Sequence, residues 1–125
     1  MSQAISAFYA ATEELGVADS VTTFTESDFS RTFQPTTTDG SDHAWGSHHM
    51  VIGGAVQGGQ IYGAFPTFEL GGPNDTDTRG RWIPTTAVDQ YGATLASWFG
   101  IPDSALATVF PNFANFGSQK LTFLG

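Results

Sequence analysis

The chain has 125 residues, enough for one ordinary domain, and it carries 4 Lys and Arg against 12 Asp and Glu, for a net charge of -8. That charge would repel a phosphate backbone or an anionic membrane, so nucleic acid and membrane are excluded as expected partners. The 40% hydrophobic content fits a folded protein, the 13% charged content leaves Thr, Ser and Gly to cover much of the surface, and the lack of Cys removes disulfides, thiolate metal sites and cysteine nucleophiles.

Residues 3–15 read as a helix, because Ile5, Phe8, Ala11, Thr12 and Leu15 share a stripe at helical spacing and Gly16 follows as a C-terminal cap. The β-branched and aromatic run from Asp19 to Glu26 reads as a short strand following that helix, and side chains just beyond such a strand are where α/β sheets keep their chemistry. Residues 27–46 are polar, with Pro35, three consecutive Thr and the Asp39-Gly40 turn signal, and they read as a long functional or disordered loop. Residues 48–72 alternate short apolar runs with Gly pairs, predicting two or three short strands turning at Gly53-Gly54, Gly58-Gly59 and Gly71-Gly72. These pairs match neither a phosphate loop nor a dinucleotide fingerprint.

The spacing predicts a helix from about Thr86 to Phe99, with Thr86 and Asp89 as a capping pair, Val88, Tyr91, Leu95, Trp98 and Phe99 as its apolar face, and Gly100 and Pro102 ending it. A shorter helix is expected to start at Asp103 as its cap, and residues 121–124 to add an edge strand. No repeat or linker marks a domain boundary, so one domain over residues 1–125 is expected. The first twenty residues lack a basic region followed by an apolar stretch, so a soluble chain without an export signal is expected.

All three histidines, His43, His48 and His49, fall in the run GSDHAWGSHHM, with Asp42 beside the first and Asp28 upstream. Imidazole and carboxylate donors suit zinc, manganese or iron, although the spacing is not that of a helical HExxH pair and a loop would have to fold the donors together. The alternative is a set of solvated histidines bonded to water or backbone carbonyls. Arg31, Arg79 and Arg81 are three of the four cations; their guanidinium groups either clamp a tetrahedral oxyanion or pair with local carboxylates such as Asp28, Asp75 and Asp77. Asp75 and Asp77 hint at calcium, but Arg79 stands where a further ligand belongs and the closing Glu is missing. Asn74-Asp75-Thr76 matches the glycosylation sequon.

The segments TFTESDFSRTFQP, GSDHAWGSHHMVIGGAVQGGQIYG, LGGPNDTDTRGRWIPTTAVDQYGATLASWFG and VFPNF, in this order, resemble the C-terminal part of an uncharacterised bacterial family of sulfatase-like proteins. That family is a domain of unknown function in the alkaline phosphatase and sulfatase superfamily, often with a twin-arginine export signal. The resemblance implies an α/β chain forming the C-terminal portion of a three-layer alkaline phosphatase/sulfatase-like fold, with an irregular Gly-rich β region and two or three helices. It implies hydrolysis of phosphate or sulfate esters, an exported or periplasmic parent protein, and a metal held by Asp and His; by the donor types the expected cofactor is a divalent metal, zinc or manganese before calcium.

Carried over by position, the resemblance makes Asp28, Asp42, His43, His48 and His49 the candidate metal ligands and Arg31, Arg79 and Arg81 the candidate anion clamp. Ser30 and Ala44 stand where the family more often has Gly, and Phe29 follows Asp28 where classical phosphatases have a His. In the superfamily the nucleophile comes from an N-terminal half, and no Ser or Thr here sits in a matching motif, so no catalytic residue is assigned. The expected function is thus an incomplete metallohydrolase domain acting on a small anionic ester, partnered by the missing half or by self-association. The alternative from another class is a non-catalytic partner- or glycan-binding module.

Overall fold

A computed structural model describes residues 1–117 and 119–124. It is a mixed α/β structure with three α-helices, α1 (Ser2–Glu14), α2 (Val88–Trp98) and α3 (Asp103–Val109), and four short strands, β1 (Thr22–Phe24), β2 (Ser30–Arg31), β3 (His43–Ala44) and β4 (Val51–Gly53). The strands form two separate antiparallel pairs, β1 with β4 and β2 with β3. The chain divides into two compact units, one from residues 1–25, 50–62 and 89–125 and the other from residues 26–49 and 63–88. Among the described residues no helix is long and apolar enough to cross a membrane.

In the first unit, Gly16 takes the positive φ of 69° that ends α1, as the sequence predicts. The predicted stripe of α1 is covered only in part: Thr12 is buried and Ile5 half-buried, with Tyr9 half-buried beside them, while Phe8, Ala11 and Leu15 are exposed. The expected strand over residues 19–26 shortens to β1, because Ala18–Ser20 closes into a 3-10 turn first. β1 pairs in the register Thr22↔Gly53, Thr23↔Ile52 and Phe24↔Val51. Gly53 is required there, since a Cβ would lie 2.6 Å from the Val21 carbonyl oxygen. Tyr91 of α2 donates its hydroxyl to the Thr25 carbonyl at 3.1 Å, and its ring meets Phe24 at 6.3 Å between centroids.

Helices α2 and α3 meet over Ala93, Leu106 and Phe113, joined by the partly buried Ala96, Ile101 and Phe110. Burying Leu106 and Phe113 contributes about 1.5–3 kcal/mol each. The predicted apolar face of α2 is thus only part of its covered side: Tyr91, Leu95 and Trp98 are half-buried. Val88 and Phe99 are exposed, and Ala93 and Thr94 are its buried residues, because the small Gly92 and Ala93 let α2 approach Phe110 and Leu106 closely. Asp103 opens α3 without a side-chain capping bond. Its carboxylate instead accepts from Lys120 at 2.7 Å, and that hydrogen bond and the ammonium charge hold its carboxyl below the usual value. The expected edge strand at residues 121–124 is a single bridge, Val56↔Leu124.

The second unit has little regular structure. The expected long loop contains β2 and β3, paired as Ser30↔Ala44 and Arg31↔His43. Thr32 extends the pairing: its N–H donates to the Asp42 carbonyl at 3.0 Å, and its hydroxyl accepts from the Asp42 N–H at 3.1 Å. Asp39 adopts the left-handed φ of 59° in the turn between them. The other organising residue is Asp75, 9% exposed. One of its carboxylate oxygens accepts from the N–H groups of Gly71 (3.1 Å) and Gly80 (2.8 Å), the other from those of Asp77 (3.3 Å) and Arg81 (2.9 Å). Burial pushes this carboxyl up, but the four backbone donors outweigh it and hold it far below the usual carboxylate range.

Candidate functional site

The second unit contains an open cleft of about 270 Å³ lined by Ser30, Arg31, Phe33, Gly46, Ser47, His48, Phe68 and Trp82. Strand β2 supplies Ser30 and Arg31, and the turn after β3 supplies Gly46, Ser47 and His48. Gly46 holds that turn in place by donating its N–H to the Trp82 carbonyl at 2.8 Å. A Cβ on Gly46 would sit 2.7 Å from that same oxygen and 3.2 Å from the Pro84 nitrogen, so only glycine fits this approach.

Each cation other than Arg31 faces a carboxylate. Arg79 bonds Asp42, Arg81 bonds Asp77, and Lys120 bonds Asp103. Arg31 is the one Lys or Arg among the described residues without a carboxylate partner. Its guanidinium lies 5.0 Å from the Phe29 ring centroid and donates to the Ser41 carbonyl at 3.2 Å, which leaves further N–H donors for an anion. Arg81 also donates Nε to the His43 carbonyl at 3.1 Å.

Several of the candidate metal donors engage other groups of the protein. The Asp42 carboxylate is engaged by Arg79, the His43 ring packs on Phe29 at 4.2 Å, and the His48 ring stacks on Phe65 at 4.5 Å; Asp28 and His49 are exposed. Among the described residues no group of three or more His, Asp or Glu side chains is gathered so as to hold a metal ion. A metal bound here would have to displace the contacts that Asp42, His43 and His48 already make. Asp75 and Asp77 do not form a calcium loop either, since Asp75 is filled by backbone N–H groups and Asp77 by Arg81. Asn74 of the sequon accepts from the Thr67 N–H at 2.8 Å through its side-chain oxygen.

Sequence reasoning missed the aromatic wall of the cleft. Phe68 packs against Trp82 (5.1 Å), Phe65 (5.5 Å) and Phe33 (6.0 Å), and Phe33 also meets Trp82 at 6.0 Å. These residues are scattered from 33 to 82 without periodicity, so the pattern carries no signal. It missed the organising role of Asp75 as well, although the Gly residues at 71, 72 and 80 around it are the signature of a backbone wrapped tightly on a side chain.

No curated protein and no solved structure matches this chain. Residues 1–82 match the family described as a protein of unknown function (DUF1501), a segment that includes every lining residue of the cleft. The chain belongs to the DUF1501 family.

Proposed function

We propose that the chain is the C-terminal part of a sulfatase-like hydrolase domain of the alkaline phosphatase superfamily, with a three-layer fold in the whole protein, and that its cleft holds the anionic group of a phosphate or sulfate ester. One observation carries this reading: in a chain of net charge -8, the arginine that has no carboxylate partner among the described residues lines a cleft together with His48, Ser30 and Ser47. Guanidinium N–H groups and hydroxyls are the donors that a tetrahedral oxyanion accepts from.

The exposure of Phe8, Leu15, Val88 and Phe99 supports the fragment reading, since apolar helix faces of this kind need a cover. An exported parent protein remains part of the proposal, on the resemblance alone. The zinc or manganese that the superfamily implies would have to displace the contacts that Asp42, His43 and His48 already make, and no step is assigned to it.

Nuclear magnetic resonance titration of the chain with inorganic sulfate and phosphate tests the anion cleft. Saturable shifts at Arg31, Ser47 and His48 that Arg31→Gln abolishes are expected. Shifts that persist in Arg31→Gln, or none in the parent chain, would overturn the reading.

A further inference from the structure

The cleft that would hold the anion has a second half, and its chemistry specifies what the anion is attached to. Beside Arg31 the cleft is lined by Phe33, Phe68 and Trp82, and Phe65 packs on Phe68. Trp82 is buried at 7% exposure, whereas Phe33 and Phe68 are 64% and 49% exposed, so two aromatic faces meet solvent at the rim of a polar cleft. Each ring is braced by a neighbour in edge or tilted contact, with interplanar angles of 54° for Phe68–Trp82 and 80° for Phe65–Phe68. Such bracing fixes the rings before a ligand arrives and lowers the ordering cost of binding.

The geometry excludes a sandwich for a flat ring. Phe33 and Phe68 are parallel within 9°, but their centroids are 6.0 Å apart, whereas a flat ring contacting both faces at about 3.5 Å on each side needs about 7 Å. One aromatic face remains as the platform, and a pyranose suits it together with the polar part of the lining: its slightly positive C–H bonds rest on the negative face of the aromatic ring while its hydroxyl edges meet polar groups. Ser30 and Ser47, which also line the cleft, carry hydroxyls for those edges. We infer that the cleft takes an acidic saccharide, a pyranose carrying a sulfate, phosphate or carboxylate group, with Arg31 on the anion and Phe68 under the sugar ring.

This inference rests on the anion cleft proposed above, and it can fail while that reading survives. Calorimetric titration of the whole chain would use methyl glucuronide, glucose 6-sulfate, glucose 6-phosphate, neutral methyl glucoside, inorganic sulfate and 4-nitrophenyl sulfate. At least one acidic sugar should bind tenfold tighter than inorganic sulfate and tenfold tighter than methyl glucoside; which one binds best identifies the anion. Phe68→Leu and, separately, Phe33→Leu should weaken binding of that acidic sugar by a larger factor than binding of inorganic sulfate, and an equal loss for both would overturn the saccharide. Arg31→Gln should abolish both. Acidic sugars no tighter than inorganic sulfate, with sulfate binding still dependent on Arg31, would overturn the saccharide and leave the anion cleft standing. Tighter binding of 4-nitrophenyl sulfate than of any acidic sugar would overturn it in favour of an aryl ligand. No anion bound at all would sink both.

Discussion

The Arg79 guanidinium donates to the Asp42 carboxylate across 37 residues of chain. One partner stands just before β3 and the other in the loop wrapped on Asp75, so the pair ties the two segments of the second unit together. It also takes up the carboxylate that the sequence offers most directly to a metal. The two side chains are 30% and 44% exposed, which places the pair in solvent-screened surroundings. A double-mutant cycle with Arg79→Ala and Asp42→Ala, measured by urea unfolding, should give a coupling of about 0.5 kcal/mol that shrinks in 1 M salt. A coupling unaffected by salt would show that the pair is far drier than its exposure indicates.

Zinc titration addresses the remaining donors. With Asp42 engaged by Arg79 and the rings of His43 and His48 packed on Phe29 and Phe65, the chain alone should take up zinc only weakly. His43→Ala and His48→Ala should leave that weak uptake unchanged. Stoichiometric uptake in calorimetry, lost in either variant, would mean that these residues rearrange into a centre within this chain.

Asp75 should dominate the acid sensitivity of the second unit. Its folded-state carboxyl is held well below the unfolded value of about 4, so its stabilising contribution is complete above that value and is lost as pH falls below it toward the folded value. Asp75→Asn places an amide nitrogen against either the Gly71 and Gly80 or the Asp77 and Arg81 N–H groups, and should lower Tm by several degrees at pH 7. Followed by circular dichroism, the variant should also lose much of the decline in Tm expected of the parent chain below pH 4. An equally steep decline in the variant would assign the acid response to other groups.

The approach of Gly46 to Trp82 and Pro84 sets a fourth expectation. Because the nearest atoms are backbone, they cannot swing away, and Gly46→Ala should cost about 1–3 kcal/mol in denaturant unfolding. It should weaken sulfate binding too, since the same turn carries Ser47 and His48 into the cleft. Unchanged stability would mean that the turn relaxes freely.

How much of this was legible in the sequence depends on whether the cause was local. Helices α1, α2 and α3 and the Gly16 cap are legible because spacing and cap chemistry act within a few residues. The face each helix buries is not: Phe8, Val88 and Phe99 have the composition of core residues, yet the close fit of Gly92 and Ala93 against Phe110 and Leu106 decides which side of α2 is covered. The clustering of His43, His48 and His49 is visible at once, but whether imidazoles converge on an ion or lie on phenylalanine rings depends on Phe29 and Phe65, which nothing in the histidine run announces. The pairing of Arg81 with Asp77 was among the readings open to the sequence, whereas that of Arg79 with Asp42 joins residues 37 apart and could not be read from spacing.

The loop wrapped on Asp75 has a bearing on proteolysis. Trypsin cuts after Lys and Arg, and it needs about a dozen residues of chain free enough to enter its groove as an extended strand. Arg79 and Arg81 sit where the backbone N–H groups of Gly80 and Arg81 are fastened to one carboxylate and both guanidinium groups are engaged, so those two bonds are poor sites despite lying outside helix and strand. Arg31 is exposed on a two-residue strand and is fastened by pairing with His43 and by the Thr32 N–H on the Asp42 carbonyl, without a buried carboxylate gathering several N–H groups. A brief digest of the folded chain should therefore open at Arg31 before the Arg79-Gly80-Arg81 segment is touched, and the segment that looks most like loose coil should be among the slower to be cut.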